Sequence, residues 1–191
     1  IAKMAGTNPD ELTNKGIGRV ILLRMPWLII TCFGQFLVSH IIKNFEGTLT
    51  RFIALASFMP FIAAMGGNIG TQSSTIAVRA LATGEWVLND FNRSVQREIL
   101  VGIGLGFIYA FLAGILAYVL YGPRFGILFP SIVSIGMFTS MSIAALLGAV
   151  EPFIFSWFKI DPATATGPLV TTMTDLISVT TYLSVAAWLL S

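Results

Sequence analysis

Long apolar stretches separated by short polar segments make up most of the chain after residue 20. A bilayer core about 30 Å thick requires about 20 apolar residues in helical conformation. The stretches are of about that length or longer, and they lack the alternation of apolar and polar residues that marks membrane β-strands. The pattern therefore predicts an all-α membrane protein with five spans, over residues 25–42, 49–81, 99–121, 125–158 and 163–190.

The second and fourth spans exceed the length that a simple crossing needs. Residues that break or bend helices lie inside both: Pro60, Gly66 and Gly67 in the second, and Pro130, Gly136 and Pro152 in the fourth. Interrupted membrane helices are tolerated only where protein or a water-filled cavity satisfies the freed backbone groups. We therefore expect breaks or kinks in these two spans.

Composition supports the membrane assignment and excludes several other classes. Hydrophobic residues make up 55% of the chain and charged residues 10%, with a mean hydropathy of +0.84, whereas a soluble domain carries about 25% charged residues. The net charge of +2 gives no reason to expect nucleic acid as a partner. A single cysteine, Cys32, and a single histidine, His40, exclude a disulfide framework and a Cys/His zinc site.

Lysine and arginine placement predicts the orientation. With five spans, the N-terminus and the loops after the second and fourth spans share one side of the membrane. Basic residues favour the cytoplasmic side, so we expect a cytoplasmic N-terminus and an external C-terminus. The side with more of the 11 basic residues holds Lys3, Lys15, Arg19, Arg24, Arg79, Arg93, Arg97 and Lys159, and the other holds Lys43, Arg51 and Arg124.

Asp175 is the strongest candidate for chemistry, because it lies near the middle of the fifth span. An ionised carboxylate at the bilayer centre costs about 3 kcal/mol on insertion scales, so it normally faces a cavity, a partner or an ion. The alternative is structural, with Asp175 protonated or hydrogen-bonded to Thr171 as structural glue.

The neighbours of Asp175 favour an ion. Residues at helical spacing form one polar stripe on the fifth span: Pro168, Thr171, Asp175, Ser178 and Tyr182. Such a stripe suits a water-filled path, and an irregular helix near Gly167 and Pro168 would free backbone carbonyls. Carboxylates, carbonyls and water are the hard oxygen ligands that Mg²⁺ prefers.

Two further polar groups allow both a functional and a structural interpretation. The second span contains GGNIGTQSST, in which Asn68, Gln72 and Thr75 share a helical face. It fits either an ion path or tight helix packing with polar glue. Glu151, late in the fourth span, is either a second ion or proton site or a carboxylate near the cytoplasmic interface. Asp161 and Pro162 are expected to cap and begin the fifth helix.

Three motifs resemble the transmembrane domain of the MgtE magnesium channel and transporter family. They are PFIAAMGGNIGTQSSTIAVRALATGE at 60–85, DPATATGPLVTTMTDLISVTTYL at 161–183 and RMPWL at 24–28. The resemblance implies a homodimer with five helices per subunit and a central pore lined by the second and fifth spans. It also implies that Asp175 binds a largely hydrated Mg²⁺, with Thr171, Gly167 and Asn68 beside it.

The chain also departs from the family pattern. The resemblance implies an apolar residue at the position of Glu151 and often a glycine at the position of Ser178. Glu151 therefore leaves a coupling role open. The cytoplasmic sensor domains that close the pore in the family do not lie in this sequence, and we expect regulation to involve such domains as partners or to differ.

These observations predict two regions: a cytoplasmic segment or linker at 1–20 and a five-helix cation-transport domain at 21–191. The predicted function is magnesium transport across the cell membrane, with Mg²⁺ as the transported ion and lipid and a second copy as partners. Two alternatives remain, a Na⁺- or H⁺-coupled Mg²⁺ carrier that uses Glu151 and a membrane scaffold that does not transport. Mn²⁺ and Co²⁺ also accept octahedral oxygen sites. No nucleophile–base pair or cofactor motif indicates an enzyme.

Overall fold

The computed structural model describes residues 16–84, 91–159 and 162–191, and all its regular elements are helices. Five of the helices are long and apolar enough to cross a membrane, which confirms the predicted all-α fold with five spans. The homodimer and its pore stay predictions. The helices are α1 (Ile17–Asn44), α2 (Glu46–Arg51), α3 (Ala54–Thr83), α4 (Phe91–Phe125), α5 (Leu128–Trp157) and α6 (Pro162–Leu190).

The largest differences from the predicted boundaries are at the starts of the first three spans, and the first begins at Ile17 and not at residue 25. The second span does not begin at residue 49, because a separate short helix, α2, precedes it and the backbone leaves helical geometry at Phe52 (φ −132°, ψ 69°). The third span begins at Phe91, before the predicted position 99. A helix needs backbone hydrogen bonds rather than lipid, so its polar first turns continue beyond the apolar segment.

The expected interruptions do not occur as breaks. α3 runs through Pro60 and both central glycines, and α5 runs through Pro130 and Pro152. Pro130 lies in the first turn of α5, where the missing N–H has no intrahelical partner to lose. The glycines of α3 instead allow this helix to pack closely against its neighbours.

α5 lies at the centre of the bundle and packs against α3, α4 and α6, while α1 packs chiefly against α6. α5 contributes most to the core, with Ile132, Val133 and Met137 fully buried. In contrast, α1 buries only Gly34 and Val38 among its residues. The large exposed apolar side chains of α1 and α4 form the surface that lipid covers in a membrane protein.

Glycine determines how closely the central helices approach. A Cβ added to Gly148 of α5 would collide with the backbone of Gly70 on α3, and one added to Gly102 of α4 would lie 2.5 Å from the Ala145 side chain. Small residues allow such a close approach. In lipid, which is as apolar as the side chains, the van der Waals contacts made at this distance hold the helices together in place of the hydrophobic effect.

The ends of the predicted segments are described only in part. α1 begins at Ile17, inside the segment predicted as 1–20, and residues 1–15 lie outside the described residues. α6 begins at Pro162, the position that the sequence predicted for its first turn. Asp161, the expected capping residue, lies outside the described residues.

Candidate cation site

Asp175 lies on α6 where α1 and α3 both reach that helix. Its carboxylate is half-buried, and Gln35 Nε2 of α1 donates a hydrogen bond of 2.8 Å to Asp175 Oδ2. The bond to Thr171 that the structural alternative requires is not made, because the Thr171 hydroxyl donates to the carbonyl of Gly167 at 3.1 Å. The carboxylate is therefore oriented by another helix and not by its own.

Gly67 of α3 forms the other wall beside the carboxylate. A Cβ on Gly67 would lie 3.5 Å from Asp175 Oδ1 and 3.9 Å from Thr174 Oγ1. The missing side chain leaves space for one atom next to the carboxylate oxygen. Asp175 is thus bordered by an amide donor on one side and by a bare glycine backbone on the other.

The motif in α3 divides between two faces. Gly66 and Gly70 are buried against α5 and α6, where added Cβ atoms would meet Ser178 and Thr174. Asn68, Gln72 and Thr75 are exposed on the other face. Both interpretations of this motif therefore have support, because the glycines pack helices while the amides and hydroxyls form a polar surface that the rest of the described chain does not cover.

Of the other predicted site residues, Thr171 lies one helical turn from Asp175, Gly167 lies two turns away, and Asn68 is on α3. The Thr171 methyl would be 4.0 Å from a Cβ on Gly67, and Thr171 is exposed one turn before Asp175. The Gly167 carbonyl is not free, because it accepts the Thr171 hydroxyl. Asn68 is exposed next to Gly67 in the chain, and no hydrogen bond between it and Asp175 is found.

The polar stripe predicted along α6 does not continue past Asp175. Ser178 and Tyr182 are fully buried. The backbone carbonyl of Ser178 accepts a bond of 3.0 Å from Ser140 Oγ, and the Tyr182 hydroxyl donates to the carbonyl of Leu55 at 3.1 Å. α5 and α3 cover this half of the face. Residues at the same helical spacing are therefore exposed before Asp175, at Thr171, and buried after it, at Ser178 and Tyr182.

Glu151 is half-buried on α5, and its Oε2 atom is buried without a hydrogen-bond partner among the described residues. The register places it near Ser74 of α3, because Gly148, one turn earlier, contacts Gly70. The hydroxyl of Ser74 is likewise buried without a partner in the described part of the chain. Glu151 is therefore more enclosed than a solvated carboxylate at the interface.

Two polar residues near the central helices are not predicted from the sequence, Gln35 and Glu98. Gln35 is the amide that contacts Asp175, and Thr31, Gln35 and Ser39 repeat at a spacing of four in the first span, a pattern that marks Gln35 as polar within a span but not its partner. Glu98 of α4 is buried and accepts a bond of 2.7 Å from Ser73 Oγ of α3. It lies one residue before the predicted start of the third span at 99, so the sequence pattern did not single it out.

Among the described residues, nowhere do three or more His, Cys, Asp or Glu side chains gather in one place. One copy of this part of the chain therefore offers a divalent cation one carboxylate at Asp175, together with neutral oxygens and space for water. Such a donor set suits a cation that keeps most of its water shell, as Mg²⁺ usually does.

Comparison with known proteins identifies the family. Residues 59–185 match the family model of MgtE, described as a divalent cation transporter. The match covers more than half of the chain and includes both the glycine motif of α3 and Asp175 of α6. It confirms the resemblance that the motifs indicated.

Three relatives are each named magnesium transporter MgtE. The protein of Bacillus subtilis is 34% identical over 163 residues, covering 85% of this chain and 36% of that protein. That of Thermus thermophilus is 35% identical over 192 residues, covering 100% and 42%. That of Enterococcus faecalis is 29% identical over 185 residues, covering 96% and 40%.

The chain thus spans about two fifths of the length of the relatives that it matches. Their names describe transporters and not enzymes, in agreement with the prediction. The five apolar helices make the chain a multi-pass membrane protein. The family model and the relatives together show that the chain belongs to the MgtE family of divalent cation transporters.

Proposed function

We propose that this chain transports Mg²⁺ across the cell membrane through a pore that forms between two copies and is lined by α3 and α6. One observation carries the proposal: Asp175 lies in a membrane span, yet its carboxylate is only half-buried and borders a polar surface. Because an uncompensated carboxylate there costs about 3 kcal/mol, a passing cation that neutralises it explains why the residue is tolerated.

The exposed polar face of α3 supports the homodimer. Asn68, Gln72 and Thr75 face away from the rest of the described chain, and hydrocarbon would leave their polar groups unsatisfied. Two copies related by a twofold axis would enclose these faces around water. Each copy would then supply one Asp175, and the two carboxylates would face one ion.

A hydrated ion fits this site better than a dehydrated one. Mg²⁺ binds oxygen ligands directly at about 2.0–2.1 Å and gives up its water reluctantly. Thr171 Oγ1, one turn before Asp175, and the exposed side chain of Asn68 on α3 are neutral oxygens that would accept hydrogen bonds from the water shell. The names of the relatives favour Mg²⁺ over Mn²⁺ and Co²⁺, which the oxygen ligands alone do not separate.

The membrane potential supplies the driving force in this proposal. The excess of lysine and arginine on one side favours a cytoplasmic N-terminus and an external C-terminus. A negative interior contributes about 2.3 kcal/mol per charge per 100 mV, so about twice that for a divalent ion. Mg²⁺ would then flow inward without a coupled ion.

Replacement of Asp175 tests the proposal directly. Asp175→Asn keeps the size and the acceptor for Gln35 but removes the charge, and Asp175→Ala removes the group. We expect both variants to insert and dimerise yet to lose Mg²⁺ uptake into proteoliposomes by about 100-fold or more. Ser184→Ala, at an exposed position on the same helix, serves as the control. Full uptake by a well-folded Asp175 variant would contradict the assignment.

Glu151 supports a second candidate, a carrier that couples Mg²⁺ to Na⁺ or H⁺. Its buried Oε2 has no hydrogen-bond partner among the described residues, and an intramembrane carboxylate without a partner is a candidate ion or proton site. The family resemblance implies an apolar residue here, so the carboxylate would be a specific addition of this chain.

Flux under imposed gradients separates the two candidates. Mg²⁺ flux that is indifferent to Na⁺ and H⁺ gradients, and unchanged by Glu151→Gln, supports the pore. Flux that follows one gradient, and loses that dependence in Glu151→Gln, supports the carrier. Absence of any cation flux from a folded dimer would favour the membrane scaffold.

A further inference from the structure

α1 reaches the candidate site through one side chain. Gln35 Nε2 donates to Asp175 Oδ2 at 2.8 Å, and the neighbouring Gly34 lies against the Thr172 methyl so closely that a Cβ there would collide with it. The glycine therefore sets how near α1 lies to α6, and that distance allows the amide to reach the carboxylate. In the family-based expectation, α1 had no part in the site.

The contact fixes the carboxylate in orientation without removing its charge. Oδ2 accepts the Gln35 amide, and Oδ1 lies beside Gly67 of α3, so neighbours on two other helices border the group. A lysine or arginine at position 35 would form an ion pair and cancel the charge that attracts the cation. A neutral amide orients the carboxylate and leaves its full negative charge.

We infer that Gln35 is a positioning residue that holds Asp175 for a hydrated ion and so selects Mg²⁺ over cations that lose water easily; this inference rests on the proposed function. With one oxygen committed to the amide, the carboxylate has less freedom to move onto an ion and replace a bound water. Mg²⁺ keeps its water, whereas Ca²⁺ takes direct oxygen ligands in flexible geometry. The arrangement therefore disfavours Ca²⁺.

The amide also has a second polar atom to offer. Gln35 is exposed in the chain, and its carbonyl oxygen is an acceptor, as all side-chain amides provide. Water bound to a divalent cation donates hydrogen bonds to such acceptors. A hydrated ion would thus meet a carboxylate and an amide oxygen from the same pair of residues, and both would accept hydrogen bonds from its water shell.

A merely structural role for Gln35 makes a different prediction. Hydrogen bonds between membrane helices also act as glue, and in that case loss of the amide would weaken the fold and reduce the transport of all cations alike. Selectivity between ions would not change. The ratio of two ion fluxes therefore separates positioning from packing.

The test compares Gln35→Met, which has a similar length but neither donor nor acceptor, with Ser39→Ala at an exposed position one turn away on α1. Mg²⁺ and Ca²⁺ uptake are measured separately for the full chain in proteoliposomes. We expect the ratio of Ca²⁺ to Mg²⁺ flux to rise by about tenfold in Gln35→Met, equivalent to about 1.4 kcal/mol, and to stay unchanged in Ser39→Ala. An unchanged ratio, or an equal fall in both fluxes, overturns the inference.

A second measurement keeps the inference testable if Gln35→Met does not transport. Thermal unfolding of the detergent-solubilised protein is followed with Mg²⁺ or Ca²⁺, because a bound ion stabilises the folded state. We expect Mg²⁺ to raise Tm more than Ca²⁺ in the unsubstituted protein, and Ca²⁺ to match or exceed Mg²⁺ in Gln35→Met. The same preference in both proteins overturns the inference.

The failure of the proposed function has a distinct signature. If the unsubstituted protein carries no divalent cation, or if Asp175→Asn transports normally, the site itself is wrong and the role of Gln35 falls with it. If transport depends on Asp175 while Gln35→Met keeps the original selectivity, only the role of Gln35 is wrong.

Discussion

The two faces of α3 use neighbouring residues of one motif for different purposes. On one face, Gly66 and Gly70 are buried and in close contact with α5 and α6. On the other, Asn68 and Gln72 are exposed within an apolar span. We refer to them as the packing face and the polar face. The difference indicates that the glycines allow α3 to pack closely against α5 and α6. The amides of Asn68 and Gln72 instead remain available to contact water, an ion or a second copy of the chain.

The contrast also explains why the motif alone was ambiguous. Successive residues of a helix point about 100° apart, so a run such as GGNIGTQSST places residues on every side. The composition of the motif does not show which of its residues are buried, whereas the structure shows that Gly66 and Gly70 are buried and that Asn68 and Gln72 are exposed. The separation makes distinct predictions for each face, because packing residues should affect stability and polar-face residues should affect transport.

The largest effect is expected from Gly148→Ala, which adds a methyl group to the packing contact with α3. The new Cβ would collide with the backbone of Gly70, and a backbone cannot rotate away as a side chain does. Overpacking of this kind costs about 3 kcal/mol, the upper end of the usual range. We expect a clear fall in Tm in detergent and little protein in the membrane.

Gly104→Ala on α4 is the matched control for this prediction. A Cβ at Gly104 meets nothing within 4 Å, and replacing glycine by alanine in a helix stabilises by about 0.5–1 kcal/mol. The two substitutions make the same chemical change in membrane helices of one protein. Equal Tm values would show that the close contact of α3 and α5 does not matter for stability.

The second effect concerns Ser73, which joins the packing face to α4. Ser73→Ala leaves the buried Glu98 carboxylate without the hydroxyl that now donates to it at 2.7 Å. An unsatisfied buried polar group costs about 1–3 kcal/mol, and a charged one more. We expect a lower Tm with Mg²⁺ flux per folded dimer unchanged. Loss of flux without loss of stability would instead place Glu98 in the transport path.

The sequence predicted the number of spans, which the structure confirms, and it singled out Asp175 as a candidate, because both inferences depend on local composition. An apolar run of membrane length and a carboxylate inside it can be recognised without knowing what they contact. The contact of Gln35 with Asp175 joins residues 140 positions apart. Such a pairing depends on which helices are neighbours in space, and the spacing of residues along one helix contains no information about that.

The prediction of a continuous polar stripe along α6 was wrong for a related reason. Helical spacing correctly put Thr171, Ser178 and Tyr182 near one line, but it does not determine which helix lies over each part of that line. Gly136 of α5 lets Tyr182 lie so close that a Cβ on the glycine would be 2.5 Å from the ring. Thr171, nearer the N-terminal end of the same helix, is exposed.

The third effect concerns the polar face itself. Asn68→Leu replaces an exposed amide by an apolar side chain of similar size, so the packing face is unchanged. If the polar face lines a water-filled path, we expect Mg²⁺ flux to fall by about tenfold, equivalent to about 1.4 kcal/mol, with Tm unchanged. Ile76→Leu, at an exposed apolar position of α3, is the control. Unaltered flux in Asn68→Leu would remove Asn68 from the path.

The smallest effect is expected from Tyr182→Phe. This substitution tests whether the C-terminal part of α6 only packs against other helices or also lines the ion path. The substitution removes only the hydroxyl that donates to the Leu55 carbonyl at 3.1 Å, and the ring keeps its contact with α5. Hydrogen bonds between membrane helices contribute about 0.6 kcal/mol on average, so Tm should fall slightly while Mg²⁺ flux stays the same. A changed flux with an unchanged Tm would mean that Tyr182 turns toward the ion during transport. In that case the buried half of the stripe would be a closed part of the path, and the division between packing and polar faces would describe only one state of the protein.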